Sequence, residues 1–249
     1  MNHLDRLATA QRDAFLRRTA AFPARPDPVR PFLVSEGGPP ALIAEFKRSS
    51  PSHGAFLKVG RAEQLRRYAE IGASAVSVLV AGEGFRGDVE DLRRARQETD
   101  LPLLYKGFVS LKEQIDEAYA YGADAVLLIA AVLQEEFPAF LAHAHDRGLA
   151  ALCEVHDALE LEAVCAAGAR IVGINNRDLR TLDVDTSRFL ALAPKAPRGT
   201  RLIAESGYRT RRAVHEAITA GARGVLVGEA LLAGSELQAP WAEVLRDVG

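Results

Sequence analysis

The chain has 249 residues, 31 Lys and Arg against 33 Asp and Glu, a net charge of −2 and 48% hydrophobic residues. This is ordinary globular composition, so a sizeable core is available and wholesale disorder is excluded. The near-neutral balance argues against broad nucleic-acid binding through phosphate neutralisation.

Cys153 and Cys165 are too few for a disulfide framework and lack metal-ligand spacing. No uninterrupted apolar stretch of about 18 residues is present to cross a membrane. Residues 1–21 mix Asp5, Arg6, Arg12, Asp13, Arg17 and Arg18 with apolar residues, which no signal-peptide core tolerates. A soluble, cytoplasmic protein is expected.

In chain order, the first element is an amphipathic helix, with Leu4, Leu7, Ala14, Phe15 and Ala21 partly on one stripe. It stops at Pro23. Between there and Pro40 lie six of the twelve prolines, which predicts an extended connection. Residues 1–40 are therefore read as helix and Pro-rich connection, and 41–249 as the main unit.

Short apolar runs follow at 41–46, 75–80, 102–105, 125–130, 150–153, 171–174, 201–204 and 224–227, separated by helix-forming, charge-flecked sequence. That alternation implies βαβ units on a parallel sheet. Gly-Ala pairs at Gly72, Gly122, Gly168 and Gly221 precede every second run, 50, 46 and 53 residues apart, or two βα units each time. Eight units predict a (β/α)8 TIM barrel with an N-terminal helical extension. A doubly wound sheet could also hold eight strands. However, no Gly-x-Gly-x-x-Gly follows the first run, which makes a dinucleotide-binding version of that sheet a poor fit.

Barrel chemistry lies at the carboxyl ends of the strands. The first run ends Ile43-Ala44-Glu45-Phe46-Lys47, where alternation puts Ile43, Glu45 and Lys47 on one face. Later runs lead into Lys106, Glu154, Asn175-Asn176-Arg177 and Glu205-Ser206-Gly207. Any one of these charges is readily explained as a solvated loop residue or a structural ion pair. Five strands aiming ionisable or amide groups at one mouth is instead the pattern of acid–base chemistry. Gly207 and Gly228 stand after the seventh and eighth runs, where barrels commonly bind phosphate, with the Ser50 to Ser52 hydroxyls beside them. Glu229 is expected to offer its backbone N–H there and to turn its carboxylate away. The six histidines form no metal cluster, and His156 reads as solvated or satisfied. No metal is expected.

These motifs resemble those of the indole-3-glycerol phosphate synthase family of tryptophan biosynthesis. The resemblance rests on Ile43 to Ser52, Leu127-Leu128-Ile129, Cys153 to His156, Gly173 to Leu179 and Ala204 to Gly207, in order, over about residues 41–233. It implies a cofactor-free lyase that cyclises, decarboxylates and dehydrates 1-(2-carboxyphenylamino)-1-deoxyribulose 5-phosphate. On that basis Lys106 is the acid at ring closure and Glu154 the base or electrostatic partner. Lys47 is a second cation near Glu45, and Asn175 and Glu205 fix substrate hydroxyls and the lysines. Arg177, Ser206 and Phe108 contact substrate, and Ser50, Gly207, Gly228 and Glu229 hold phosphate. The implied partner is a small phosphorylated substrate, with room for other tryptophan-pathway enzymes and none for nucleic acid or membrane.

The sequence departs from the family at two strands. Tyr105-Lys106-Gly107-Phe108 stands where Arg-Lys-Asp-Phe is usual, and Leu79-Val80-Ala81 where Leu-Thr-acid is usual. Leu111 and Glu113 replace an Asp and a Tyr. Two alternatives are carried: another sugar-phosphate barrel enzyme (an isomerase or carbon–carbon lyase), and a non-catalytic ligand-binding relative.

Overall fold

A computed structural model describes residues 2–18, 21–33, 37–50, 54–55, 60–179 and 181–246. Eight strands close a parallel barrel: β1 (Ala41–Phe46), β2 (Ala75–Leu79), β3 (Leu103–Lys106), β4 (Ala125–Ile129), β5 (Ala150–Val155), β6 (Ile171–Asn175), β7 (Arg201–Glu205) and β8 (Ala222–Val227). Each strand pairs with its sequence neighbours, and β1 joins β8 to complete the ring.

Alternation sorts the side chains into two cores. Inward positions such as Ile43, Leu104, Leu127, Leu152, Ile203 and Leu226 fill the barrel, whereas Leu42, Ala44, Val76, Val78, Leu128 and Val225 meet the helices outside. Asn175 pairs in register with Glu205, Leu79 with Lys106, and Ile129 with Glu154. These polar residues therefore share one end of the ring.

The helices between strands include α2 (Arg61–Glu70), α3 (Val89–Glu98), α4 (Lys112–Ala120), α5 (Ala130–Leu133), α6 (Phe137–Asp146), α7 (Ala158–Ala166), α8 (Ser187–Leu192) and α9 (Arg211–Thr219), and α10 (Glu229–Ala233) and α11 (Trp241–Val244) follow the last strand. The Gly-Ala pairs end helices as expected: all four glycines have positive φ, and Ala73, Ala123 and Ala169 donate their N–H back to Tyr68, Ala118 and Val164. Among the described residues, no helix is long and apolar enough to cross a membrane.

The N-terminal helix, α1, is shorter than expected. It spans His3–Leu16, opened by a capping box between Asn2 and Asp5, and Ala21 lies beyond it in exposed coil. Its buried stripe is Leu4, Leu7 and Gln11, so the face that docks ends on a polar residue rather than on Phe15. Leu4 and Leu7, with Phe32 from the following connection, join the apolar cluster of the barrel interior.

That connection is tied down by one buried carboxylate. Asp124 accepts hydrogen bonds from Arg25, Arg96 and the N–H groups of Arg30 and Leu103, at 2.8 to 3.0 Å. It thereby holds the Pro-rich segment against the ends of β3 and β4 opposite the polar mouth.

Candidate active site

The inward side chains at the carboxyl ends of β1, β3, β5, β6 and β7 converge on a cavity of about 350 Å³, within the range of small-molecule sites. Leu79, Phe85, Phe108, Leu127, Ile129 and Leu179 supply apolar wall, and Glu45, Lys47, Lys106, Glu154, Asn175 and Glu205 line its polar side.

Lys106 is the centre of the polar group. Its Nζ lies 3.5 Å from Glu154 Oε2 and 3.6 Å from Glu205 Oε2. Burial alone would lower its pKa. The charges of Glu154, Glu205 and Glu45 more than reverse that, so it is held as ammonium well above its ordinary range. Lys47 pairs with Glu45 at 2.9 Å. Burial tends to raise the Glu45 carboxyl, but Lys47 and then Lys106 bring it below its usual value. The Tyr68 hydroxyl on α2 donates to the Glu45 carbonyl and fixes that end of β1.

Glu45, Glu154 and Glu205 share the two ammonium groups of Lys47 and Lys106 and are not equally ionised. Glu154 stays charged, because Lys106 and His156 outweigh its burial. Glu205 is pushed up by burial and by the nearby Glu154 and Glu45, and neither of its carboxylate oxygens has a hydrogen-bond partner. His156 is half-buried between two acids, with Nε2 3.4 Å from Glu154 Oε1 and Nδ1 3.3 Å from Glu160 Oε2. Burial would neutralise it, but the two carboxylates push its pKa up to about 10.

The loops after β6 and β7 form the rim. Asn175 accepts from the Arg177 N–H, and the neighbouring Asn176 donates to the Ser206 carbonyl and the Tyr208 hydroxyl, stapling the two loops together. Ser206 and Gly207 both have positive φ, and a Cβ on Gly207 would lie 2.7 Å from Val184. Among the described residues, no three His, Cys, Asp or Glu side chains are grouped to hold a metal ion.

A model of the indole-3-glycerol phosphate synthase family matches residues 8–244. The chain belongs to the indole-3-glycerol phosphate synthase family. It is 44% identical to an indole-3-glycerol phosphate synthase of Parafrankia sp. (strain EAN1pec), over 85% of this chain and 80% of the relative. Identity is also 44% to the Bacillus cereus (strain AH820) synthase, over 79% of each. Thiamine phosphate pyrophosphorylase from Pyrococcus furiosus has a similar fold, with a TM-score of 0.61 at 18% identity over 84% of this chain and 96% of that one. A designed cube-shaped protein cage gives 0.58 at 18% identity, over 84% and 73%. At that identity the likeness concerns the fold alone.

Of the synthase-type residues expected from sequence, Glu45, Lys47, Lys106, Phe108, Glu154, Asn175, Arg177, Glu205, Ser206, Gly207, Gly228 and Glu229 all line the one cavity. Ser50 lies in a two-residue strand, and its side chain falls outside the described residues, as do Pro51 and Ser52.

The Glu229 carboxylate faces Lys47 at 3.8 Å, Arg177 at 3.7 Å and Arg209 at 2.8 Å. Three cations converge on this rim, and the first turn of α10 brings the neutralising acid within reach. The sequence reading missed Arg209, which looks like an ordinary loop arginine, and Asn176, which alternation alone assigns to the outer face. It also missed Gln11, whose signal was a polar residue on an apolar helical stripe.

Proposed function

We propose that this chain converts 1-(2-carboxyphenylamino)-1-deoxyribulose 5-phosphate to indole-3-glycerol phosphate, with Lys106 as the acid. The observation that carries the assignment of roles is the Lys106 ammonium held between Glu154 and Glu205, beside the Lys47–Glu45 pair, on the polar side of an apolar-walled cavity. The match to one family along nearly the whole chain favours neither alternative barrel reading.

In the first step the aryl carbon that bears the carboxylate attacks the ribulose carbonyl. One carbon–carbon bond forms, and the carbonyl oxygen takes a proton from Lys106. The carboxylate then leaves as CO₂, and its bonding pair returns to the ring. Finally the hydroxyl departs as water, protonated from Lys47, while Glu154 accepts the proton that the five-membered ring gives up. A lysine kept charged beside carboxylates is available as an acid throughout the neutral range. The unsatisfied Glu205 oxygens and Asn175 suit substrate hydroxyls. The loop amides at Gly207 and Gly228, with Ser50, suit the phosphate, and Phe85 and Phe108 suit the aryl ring.

We further read residues 1–40 as a strap on the barrel unit 41–249, since Leu4, Leu7 and Phe32 share its interior cluster. A cytoplasmic location and association with other tryptophan-pathway enzymes belong to the same reading, and co-purification tests the latter.

The test is indole-fluorescence turnover of the substrate by the purified chain beside Lys106→Met and Glu154→Gln. Each variant is expected to lose at least about two orders of magnitude in kcat. Near-wild-type turnover in either would reject its role.

A further inference from the structure

We infer that Gln11, on α1, is a positioning residue for Lys106, with its carboxamide filling the place that a side chain at position 107 would otherwise take. The assignment rests on the synthase reading of Lys106.

Lys106 ends β3, and the chain on both sides of it is held by this one amide. Gln11 Oε1 accepts from the Phe108 N–H at 2.8 Å, and Gln11 Nε2 donates to the Tyr105 hydroxyl at 3.2 Å. Tyr105 in turn donates to Glu117 Oε2 at 3.1 Å, and Arg18, also from the N-terminal segment, pairs with Glu117 at 2.7 Å. Gln11 is 7% exposed, Tyr105 1% and Glu117 2%, so the chain of contacts is shielded from water and geometrically stiff.

Gly107 shows why the amide and a larger residue exclude each other. Its φ does not require glycine, yet a Cβ there would lie 2.5 Å from Gln11 Nε2, 2.8 Å from Gln11 Oε1 and 3.0 Å from Val80. Space, not backbone conformation, is what glycine supplies. Tyr105, Gly107 and Gln11 thus form one matched set across 94 residues of sequence, and the departures at β3 mark a changed support rather than a lost one.

The side-chain contacts of Lys106 are loose by comparison, at 3.5 and 3.6 Å. The position of its ammonium therefore depends on where the backbone of residues 105–108 stands. A small displacement of a catalytic group is costly, about 10²-fold for 1 Å.

The experiment joins Gln11→Met, which keeps helix propensity and buried volume while removing both hydrogen bonds, to a double-mutant cycle of Gln11→Ala with Gly107→Asp. We expect kcat to fall about tenfold with KM within about threefold, a split that a mere helix cover would not produce. The pH profile of kcat should shift as well, because Lys106 faces Glu45 from β1, Glu154 from β5 and Glu205 from β7, with Lys47 and His156 beyond them. Gly107→Asp should be damaging in the wild-type background and markedly less so with Gln11→Ala, which vacates the space.

A readout that needs no turnover accompanies these: amide exchange of Phe108 and NMR titration of Lys106. Both should change in Gln11→Met, with Phe108 exchange at least tenfold faster. Wild-type turnover with an unaffected kcat in Gln11→Met, strictly additive costs in the cycle, or unchanged Phe108 exchange would each overturn the inference. Absence of wild-type turnover would instead reject the synthase reading, leaving the NMR comparison to decide the positioning role.

Discussion

His156 illustrates how a residue with two acidic neighbours becomes a fixed charge. Its pKa is raised from an ordinary 6.5 to about 10, so the folded state binds its proton more tightly than the unfolded chain does. The resulting stability is fully present below about 6.5 and is lost as pH rises through about 10. The melting-temperature advantage of wild type over His156→Gln is therefore expected to shrink across that window, and a constant difference would mean the imidazole is neutral. At Glu229 the issue is competition. A carboxylate among Lys47, Arg177 and Arg209 opposes a phosphate that seeks the same cations. Glu229→Gln should lower the inhibition constant of inorganic phosphate by about threefold or more, the scale of one partly screened charge contact. An unchanged constant would place the anion away from these three groups.

Among the elements, the strands were the most legible part of the sequence. Alternation at Ile43, Glu45 and Lys47 has one physical meaning in a closed barrel, whereas Lys106, Glu154, Asn175 and Glu205 were grouped by their place at strand ends, and the structure turns them inward. Alternation carries no information about where a long side chain ends up beyond a strand, which is why the cations around the Glu229 carboxylate were not legible. Nor does it reveal a contact made from another element, so Gln11 and Tyr105 stood unconnected in the sequence. The loop after β7 combines local and long-range constraint: Gly207 has φ +86, and Val184 and Thr186 crowd the place of a Cβ. Gly207→Val should strain the backbone by about 1–3 kcal/mol and push the β6 loop outward. Both a lower melting temperature and a raised KM are expected. A raised KM with unaltered melting would show that the loop gives way freely.

For the molecule as a whole, the two ends of the barrel have separate duties. Polar groups gather at one end, while the other is closed by Phe32 and by Asp124 with its ring of donors. Asp124 is fully buried, Arg96 is 1% exposed and Arg25 6% exposed, so Asp124→Ala strips Arg25 of its counter-charge and leaves Arg96 only the 3.9 Å contact with Asp27. The expected loss is about 3–5 kcal/mol in urea unfolding, with kcat below the transition unchanged, since the site lies across the barrel. A fall in kcat at full folding would mean that the Asp124 end of the barrel is coupled to the chemistry.

The same carboxylate sets an order on the making of the protein. Arg25 leaves the ribosome about a hundred residues before Asp124, which at roughly 5–20 residues per second is a wait on the order of 5–20 s. Gln11 waits as long for Tyr105. The first stretch to be synthesised thus lacks these partners until about half of the chain is made, and a nascent chain stalled before β4 would carry Arg25 unpaired with Asp124.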